Sequence, residues 1–262
     1  MFIIGEKING MFKSVREAVA GRDKRVIREL ANAQLAAGAN ALDVNVGPGS
    51  AEPIKDMEWL ITSIREVTQC PLAVDTTKPD VMELGLTLAG DNAFLNSVSG
   101  DKEKLDILIP LAKKYNSKIV ALTMTKTGVP QNTDTRMEIA ANIVAAAVEH
   151  GYDTAGLYID PLILPVNVAQ PHASAVIETI RQIGLLCDPP PKTVLGLSNV
   201  SQGTIFRGLI DRTYLVMAIS AGLDAAILNP LDKELMDAMI ATELLLGKTL
   251  YCDSFLDAYH KK

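Results

Sequence analysis

A rhythm constrains this chain more than any single motif. Eight short apolar runs, at residues 2–8, 41–46, 72–76, 93–98, 118–124, 157–161, 193–198 and 225–229, recur along 262 residues with helix-length stretches between them. The runs are mostly continuous rather than alternating in hydrophobicity, as in parallel strands buried on both faces. Eight β/α units at close to the ~250 residues typical of the fold predict a closed (β/α)8 barrel, or TIM barrel. A doubly wound sheet also alternates strand and helix. Against it, the rhythm is even throughout and nothing reads as a second domain. The first strand, Ile4-Gly5-Glu6-Lys7-Ile8-Asn9-Gly10, also lacks the Gly-x-Gly-x-x-Gly turn. We expect one α/β domain over residues 1–262.

The punctuation between runs supports this. Asp23 is placed to cap a helix running to Ala37, with Gly38 just past its end. Further helices are expected near 56–67, with Trp59, Leu60 and Ile64 on one stripe, and at 81–88, where Pro79 sits in the first turn. Asp101 opens another, and the remainder fall at 135–150, 173–186, 204–221 and 233–246. Pro189-Pro190-Pro191 reads as a stiff turn into strand seven, and the tail from Thr249 onward has no clear place.

Bulk properties narrow the function. At 48% hydrophobic and 21% charged, the sequence codes for a packed core. A formal charge of −6 argues against a nucleic-acid-binding face. No apolar run reaches the roughly 18 residues of a membrane span, and the N-terminus reads as a strand rather than a signal peptide. Cys70, Cys187 and Cys252 are scattered and odd in number, which suggests reduced thiols and a cytoplasmic setting. No Cys-x-x-Cys is present to hold a zinc ion or an iron–sulfur cluster.

In a barrel the C-terminal strand ends share one face and carry the site. Here they read Glu6, Lys7 and Asn9; Asp43 and Asn45; Asp75; Asn96; Thr123 and Met124; Asp160; Ser198 and Asn199; and Asn229. Nearly every end carries an Asp or Asn, and none carries His or Cys, so a catalytic triad or thiolate is not expected. Oxygen ligands for magnesium remain conceivable, but no metal site is assigned. Any one of these residues could simply cap a following helix. A whole ring of them asks for a ligand rich in N–H donors, because buried carboxylates without partners are costly. A pterin has such an edge: its amine and ring N–H lie side by side and suit a carboxylate. Asp160 and Asp75 are suitable acceptors, and Asn96 could serve mixed positions. The glycine-bounded stretch Gly196-Leu197-Ser198-Asn199-Val200-Ser201-Gln202-Gly203 stands between a strand and a helix. It suits either a helix cap or ligand contact.

The chain resembles the pterin-binding methyltransferases. The likeness is greatest to methyltetrahydrofolate:corrinoid/iron–sulfur protein methyltransferase, and extends to the folate domain of cobalamin-dependent methionine synthase. It covers essentially the whole chain. It rests on Gly5-Glu6-Lys7-Ile8-Asn9, the stretch from Ala36 to Asn45, Asp75-Thr76, Asn96-Ser97-Val98, Asp160-Pro161 and Gly196-Leu197-Ser198-Asn199-Val200-Ser201. The resemblance implies that Asp75, Asn96 and Asp160 hold the pterin ring and that Asn199 faces N5, which carries the methyl group. Gly196, Ser198, Gln202 and Arg207 would line the same pocket, although Arg207 could also be an ordinary surface arginine. The implied reaction moves the N5-methyl group of methyltetrahydrofolate, a substrate, to the Co(I) of a corrinoid. No cofactor is held permanently. The Asp-x-His-x-x-Gly signature of cobalamin binders is absent, so a partner, a corrinoid/iron–sulfur protein, would supply the corrinoid. The family forms homodimers, and the same is expected here. Dihydropteroate synthases share the pterin barrel, but their Asn-x-Thr-x-Asp-Ser-Phe, Lys-Gly and terminal Arg-x-His patterns are missing. Two other readings stay open: a non-catalytic folate-binding barrel, and an enzyme cradling phosphate on the N–H groups of residues 201–203.

Overall fold

The computed structural model describes residues 1–252, so most of the tail that the sequence left unplaced lies outside the described residues. Eight parallel strands close in sequence order: β1 (Phe2–Asn9), β2 (Ala41–Asn45), β3 (Leu72–Asp75), β4 (Phe94–Ser99), β5 (Lys118–Leu122), β6 (Leu157–Asp160), β7 (Lys192–Gly196) and β8 (Ala225–Leu228). β8 pairs back onto β1, with Phe2 opposite Ala225 and Gly5 opposite Leu228.

Strand periodicity of two sorts the residues into layers. The barrel interior is filled by Ile4, Ala41, Ala73, Phe94, Val120, Tyr158, Val194 and Ala225. Phe94 stacks between Phe2, at 5.6 Å, and Tyr158, at 5.2 Å, and the Lys118 ammonium lies 4.9 Å from the Phe94 ring at the lower end. The lower barrel is therefore a packed plug. Two residues further along the strands, the same inward face presents Glu6, Asp43, Asp75, Asn96, Leu122, Asp160, Gly196 and Ile227. Five of these eight are polar, against one tyrosine hydroxyl in the layer below, and all eight line the cavity floor.

The second core lies between strands and helices and is built from side chains such as Leu42, Leu60, Val74, Ile109, Ile159 and Leu195. The helices largely follow the expected punctuation. α2 (Lys24–Ala36) is capped by Asp23, whose carboxylate accepts the Arg25 N–H at 3.0 Å. α3 (Pro53–Arg65) and α4 (Pro79–Ala89) each carry proline in the first turn. α6 (Thr133–Glu149) begins two residues earlier than expected, and the Asn132 side chain caps it by accepting the Thr135 N–H. α5 (Lys102–Lys114), α8 (Pro171–Ile183) and α10 (Lys233–Leu245) lie where helices are expected.

Two additions were not anticipated. α1 (Lys13–Gly21) buries its own Val15, Ala18 and Val19, and Phe12 at its N-cap makes no side-chain capping bond, so no start signal marks it. α7 (Val166–Ala169) is a single turn in the β6–α8 connection. α9 (Arg207–Ser220) begins three residues later than expected. Strand seven is also shorter: it ends at Gly196, and Leu197–Asn199 form a 3-10 turn closed by the Val200 N–H on the Leu197 carbonyl. β5 stops at Leu122, so Thr123 is buried and Met124 lies outside the central cavity, correcting the expected strand-five end. Among the described residues, no helix is long and apolar enough to cross a membrane.

Candidate active site

The polar layer opens into a cavity of about 520 Å³ at the C-terminal mouth of the barrel. Among the described residues its wall carries six acidic residues, Glu6, Asp43, Asp75, Asp160, Asp211 and Asp232, against two basic ones, Lys7 and Arg207. A wall of this composition favours a ligand that brings N–H donors and opposes an anion.

Four of the acids form the floor, and each is held differently. Asp160 is buried at the end of β6. One of its carboxylate oxygens accepts the Leu162 N–H at 2.7 Å and the other the Gly196 N–H at 3.4 Å. Burial pushes its pKa up to about 6 despite those two backbone donors. Asp43 accepts the Asn96 amide at 2.9 Å, and Asp75 accepts the Asn45 amide at 2.6 Å. Burial, followed by the neighbouring Asp75 charge, holds Asp43 well above the usual carboxylate range. Burial raises Asp75 as well. Glu6 is raised by burial, while the Ser198 hydroxyl donates to both its oxygens at 2.9 and 2.8 Å. The floor is thus a bed of reluctant carboxylates, favourable once a ligand donates to them.

The β7–α9 loop forms one wall. Arg207 clamps it: Nε donates to the Ser201 hydroxyl at 3.2 Å and one Nη to the Ser198 carbonyl at 3.3 Å. Asn199, carried between those two points, is exposed and lines the cavity. Gly196 lies between the two polar groups. A Cβ there would stand 3.1 Å from Asn199 Nδ2 and 4.0 Å from an Asp160 oxygen.

A family model described as pterin binding enzyme matches residues 13–229. The chain belongs to the pterin-binding enzyme family. Among relatives of this pterin-binding enzyme, methylcorrinoid:tetrahydrofolate methyltransferase of Eubacterium limosum is 30% identical over 267 residues, covering 100% of this chain and 97% of that protein. Methionine synthase of Mycobacterium tuberculosis is 28% identical over 241 residues, covering 87% of this chain and only 20% of the longer protein. Among solved structures, dihydropteroate synthase of Thermus thermophilus in complex with 6HMPPP superposes with a TM-score of 0.66 at 19% identity, covering 94% of each chain. The Yersinia pestis enzyme gives 0.68 at 15%, covering 95% of this chain and 94% of that one. At those identities the likeness is one of fold.

Of the residues expected at the site of this pterin-binding enzyme, Asp75, Asn96, Asp160, Gly196, Ser198, Asn199 and Arg207 all line the cavity. Gln202 does not. Its N–H donates to the Asn199 carbonyl, so the chain turns away from the mouth and leaves Gln202 exposed outside the wall. That same bond occupies an N–H a phosphate cradle would need. Asp211 and Asp232 were missed. Asp211 stands four residues after Arg207 on α9, a spacing that places both on one helix face and could have flagged it.

Proposed function

We propose that this protein is a methyltransferase that moves the N5-methyl group of methyltetrahydrofolate to the Co(I) of a corrinoid. The observation that carries the reading is the carboxylate-floored mouth cavity, whose lining among the described residues contains no histidine or cysteine. Supporting it, a relative 30% identical along the full chain is named a methylcorrinoid:tetrahydrofolate methyltransferase. Asp160, Asp75 and Asn96 would read the donor edge of the pterin, fixing the ring across the barrel.

The residue inventory fits this chemistry. Co(I) is itself a strong nucleophile, so the protein need not supply one. The N5–CH3 bond breaks as the cobalt–carbon bond forms, and N5 keeps the electron pair. An amine leaves poorly unless that pair is taken up by a proton from solvent and held. Asn199 would hydrogen-bond N5 as it gains the proton, which is electrostatic rather than acid catalysis. Asparagine suits the role because it donates and accepts without titrating. The corrinoid would ride on a partner, a corrinoid/iron–sulfur protein, meeting the methyl group at the open mouth. We also propose a homodimer of one domain spanning residues 1–262, working in the cytoplasm.

Asn199→Ala tests the assignment. Turnover should fall roughly 10²-fold in kcat/KM, while methyltetrahydrofolate affinity, measured by calorimetry, changes far less. Unchanged turnover would remove Asn199 from the mechanism.

A further inference from the structure

Behind the cavity floor lies a fully buried cation that does not line the cavity. Arg136, in the first turn of α6, has no exposed surface. Its Nε donates to the Pro161 carbonyl at 2.8 Å, one Nη to the Asn132 carbonyl at 3.2 Å, and the other to His172 Nδ1 at 2.9 Å. None of the three is a carboxylate. Because a guanidinium only donates, the His172 ring must accept at Nδ1 and carry its proton on Nε2. Burial and the adjacent guanidinium both lower the His172 pKa, which keeps the ring in that neutral form.

A buried charge without an acid is costly, and an apolar side chain would fill the space with less penalty. What the arginine holds is informative. Pro161 directly follows Asp160. Leu162, next in line, has φ of 56°, a left-handed conformation that leucine holds only where its surroundings impose it. The Leu162 N–H is the donor to the Asp160 carboxylate. Four residues on, the Val166 N–H donates to the Val200 carbonyl at 2.9 Å, tying this segment to the residue after Asn199.

We propose that Arg136 is a positioning residue for the folate site: by fixing the Pro161 carbonyl it sets the Asp160–Leu162 turn, and so the aim of the Asp160 carboxylate. His172 and Asn132 complete the fork that orients the guanidinium. This rests on the reading that Asp160 contacts the pterin, and a double-mutant cycle separates the two.

The cycle compares wild type, Arg136→Met, Asp160→Asn and the double variant, with methyltetrahydrofolate Kd read by calorimetry. Arg136→Met should weaken binding roughly tenfold in the wild-type background, as expected for a misplaced contact group, and less than about twofold in the Asp160→Asn background. Equal losses in both backgrounds would overturn the proposal, since a general loosening of the fold adds independently of Asp160. If Asp160→Asn alone left Kd unchanged, the pterin assignment itself would fall and take the proposal with it. Arg136→Lys keeps the cycle available should Arg136→Met fail to fold. One ammonium can reach Pro161 but cannot span all three acceptors, so it should rescue most of the affinity. No rescue by Lys in a folded variant also counts against the proposal.

Discussion

Lowering the pH from 7 to 5 should weaken methyltetrahydrofolate binding through Asp160. With a pKa near 6 in the free protein, this carboxylate is ionised in roughly 90% of molecules at pH 7 and roughly 9% at pH 5. A ligand that donates N–H groups binds the ionised form, so its affinity should drop about tenfold across that interval from this group alone. The sign for stability is opposite. A carboxyl raised in the folded state above its unfolded value favours folding below pH 3.8 and loses that contribution as pH rises toward 6. Above pH 6 the ligand-free fold carries a cost of about 3 kcal/mol at this one site. Calorimetric titrations at pH 5, 6 and 7 on wild type and Asp160→Asn make the test. The variant cannot titrate here, so its affinity should be lower at pH 7 and its pH dependence shallower by about one proton. Asp43, Asp75 and Glu6, also raised, remain in both proteins and cancel in the comparison. Identical pH slopes would refute the claim that Asp160 meets the ligand as a carboxylate.

Burial, followed by the facing Asp75 charge, makes an ionised Asp43 costly, so Asp43→Asn should be stabilising at pH 7.5. It removes a charge facing Asp75 yet keeps an oxygen for the Asn96 amide, and thermal unfolding should rise by a few degrees, consistent with about 1–2 kcal/mol. Gly196→Ala sets a methyl group 3.1 Å from Asn199 Nδ2. It should lower kcat several-fold with little loss of Tm, as steady-state kinetics beside thermal melts would reveal. Gly10→Ala would place its Cβ 2.2 Å from the Val46 carbonyl oxygen, a backbone atom. The β1 and β2 ends cannot both stay in place, so reduced expression or a Tm lower by about 5 °C or more is expected.

The barrel was legible because its strands are buried on both faces and its helices are punctuated by Asp23, Pro79 and Asp101. The ring of polar strand ends was legible for a related reason: Asp or Asn recurs at or just past the end of every strand but the fifth. What stayed hidden depended on context. α1 begins at Phe12 without a capping side chain. Gln202 sits in the same polar stretch as Asn199, and the turn closed by its N–H on the Asn199 carbonyl leaves one lining the cavity and the other outside it. Arg136 gave no signal, because a lone arginine in a helical stretch reads as a solvated charge until α8 and the Pro161 turn bury it.

The measurement that bears most directly on the account is anaerobic and spectroscopic. Purified protein is mixed with methyltetrahydrofolate and Co(I) corrinoid, both free and carried on a corrinoid/iron–sulfur protein, and loss of the Co(I) band is followed against growth of methylcorrinoid. Enzyme-dependent transfer is expected, reversed when methylcorrinoid and tetrahydrofolate are supplied instead. Tight folate binding with no transfer to either corrinoid would contradict it and leave a barrel that only binds folate.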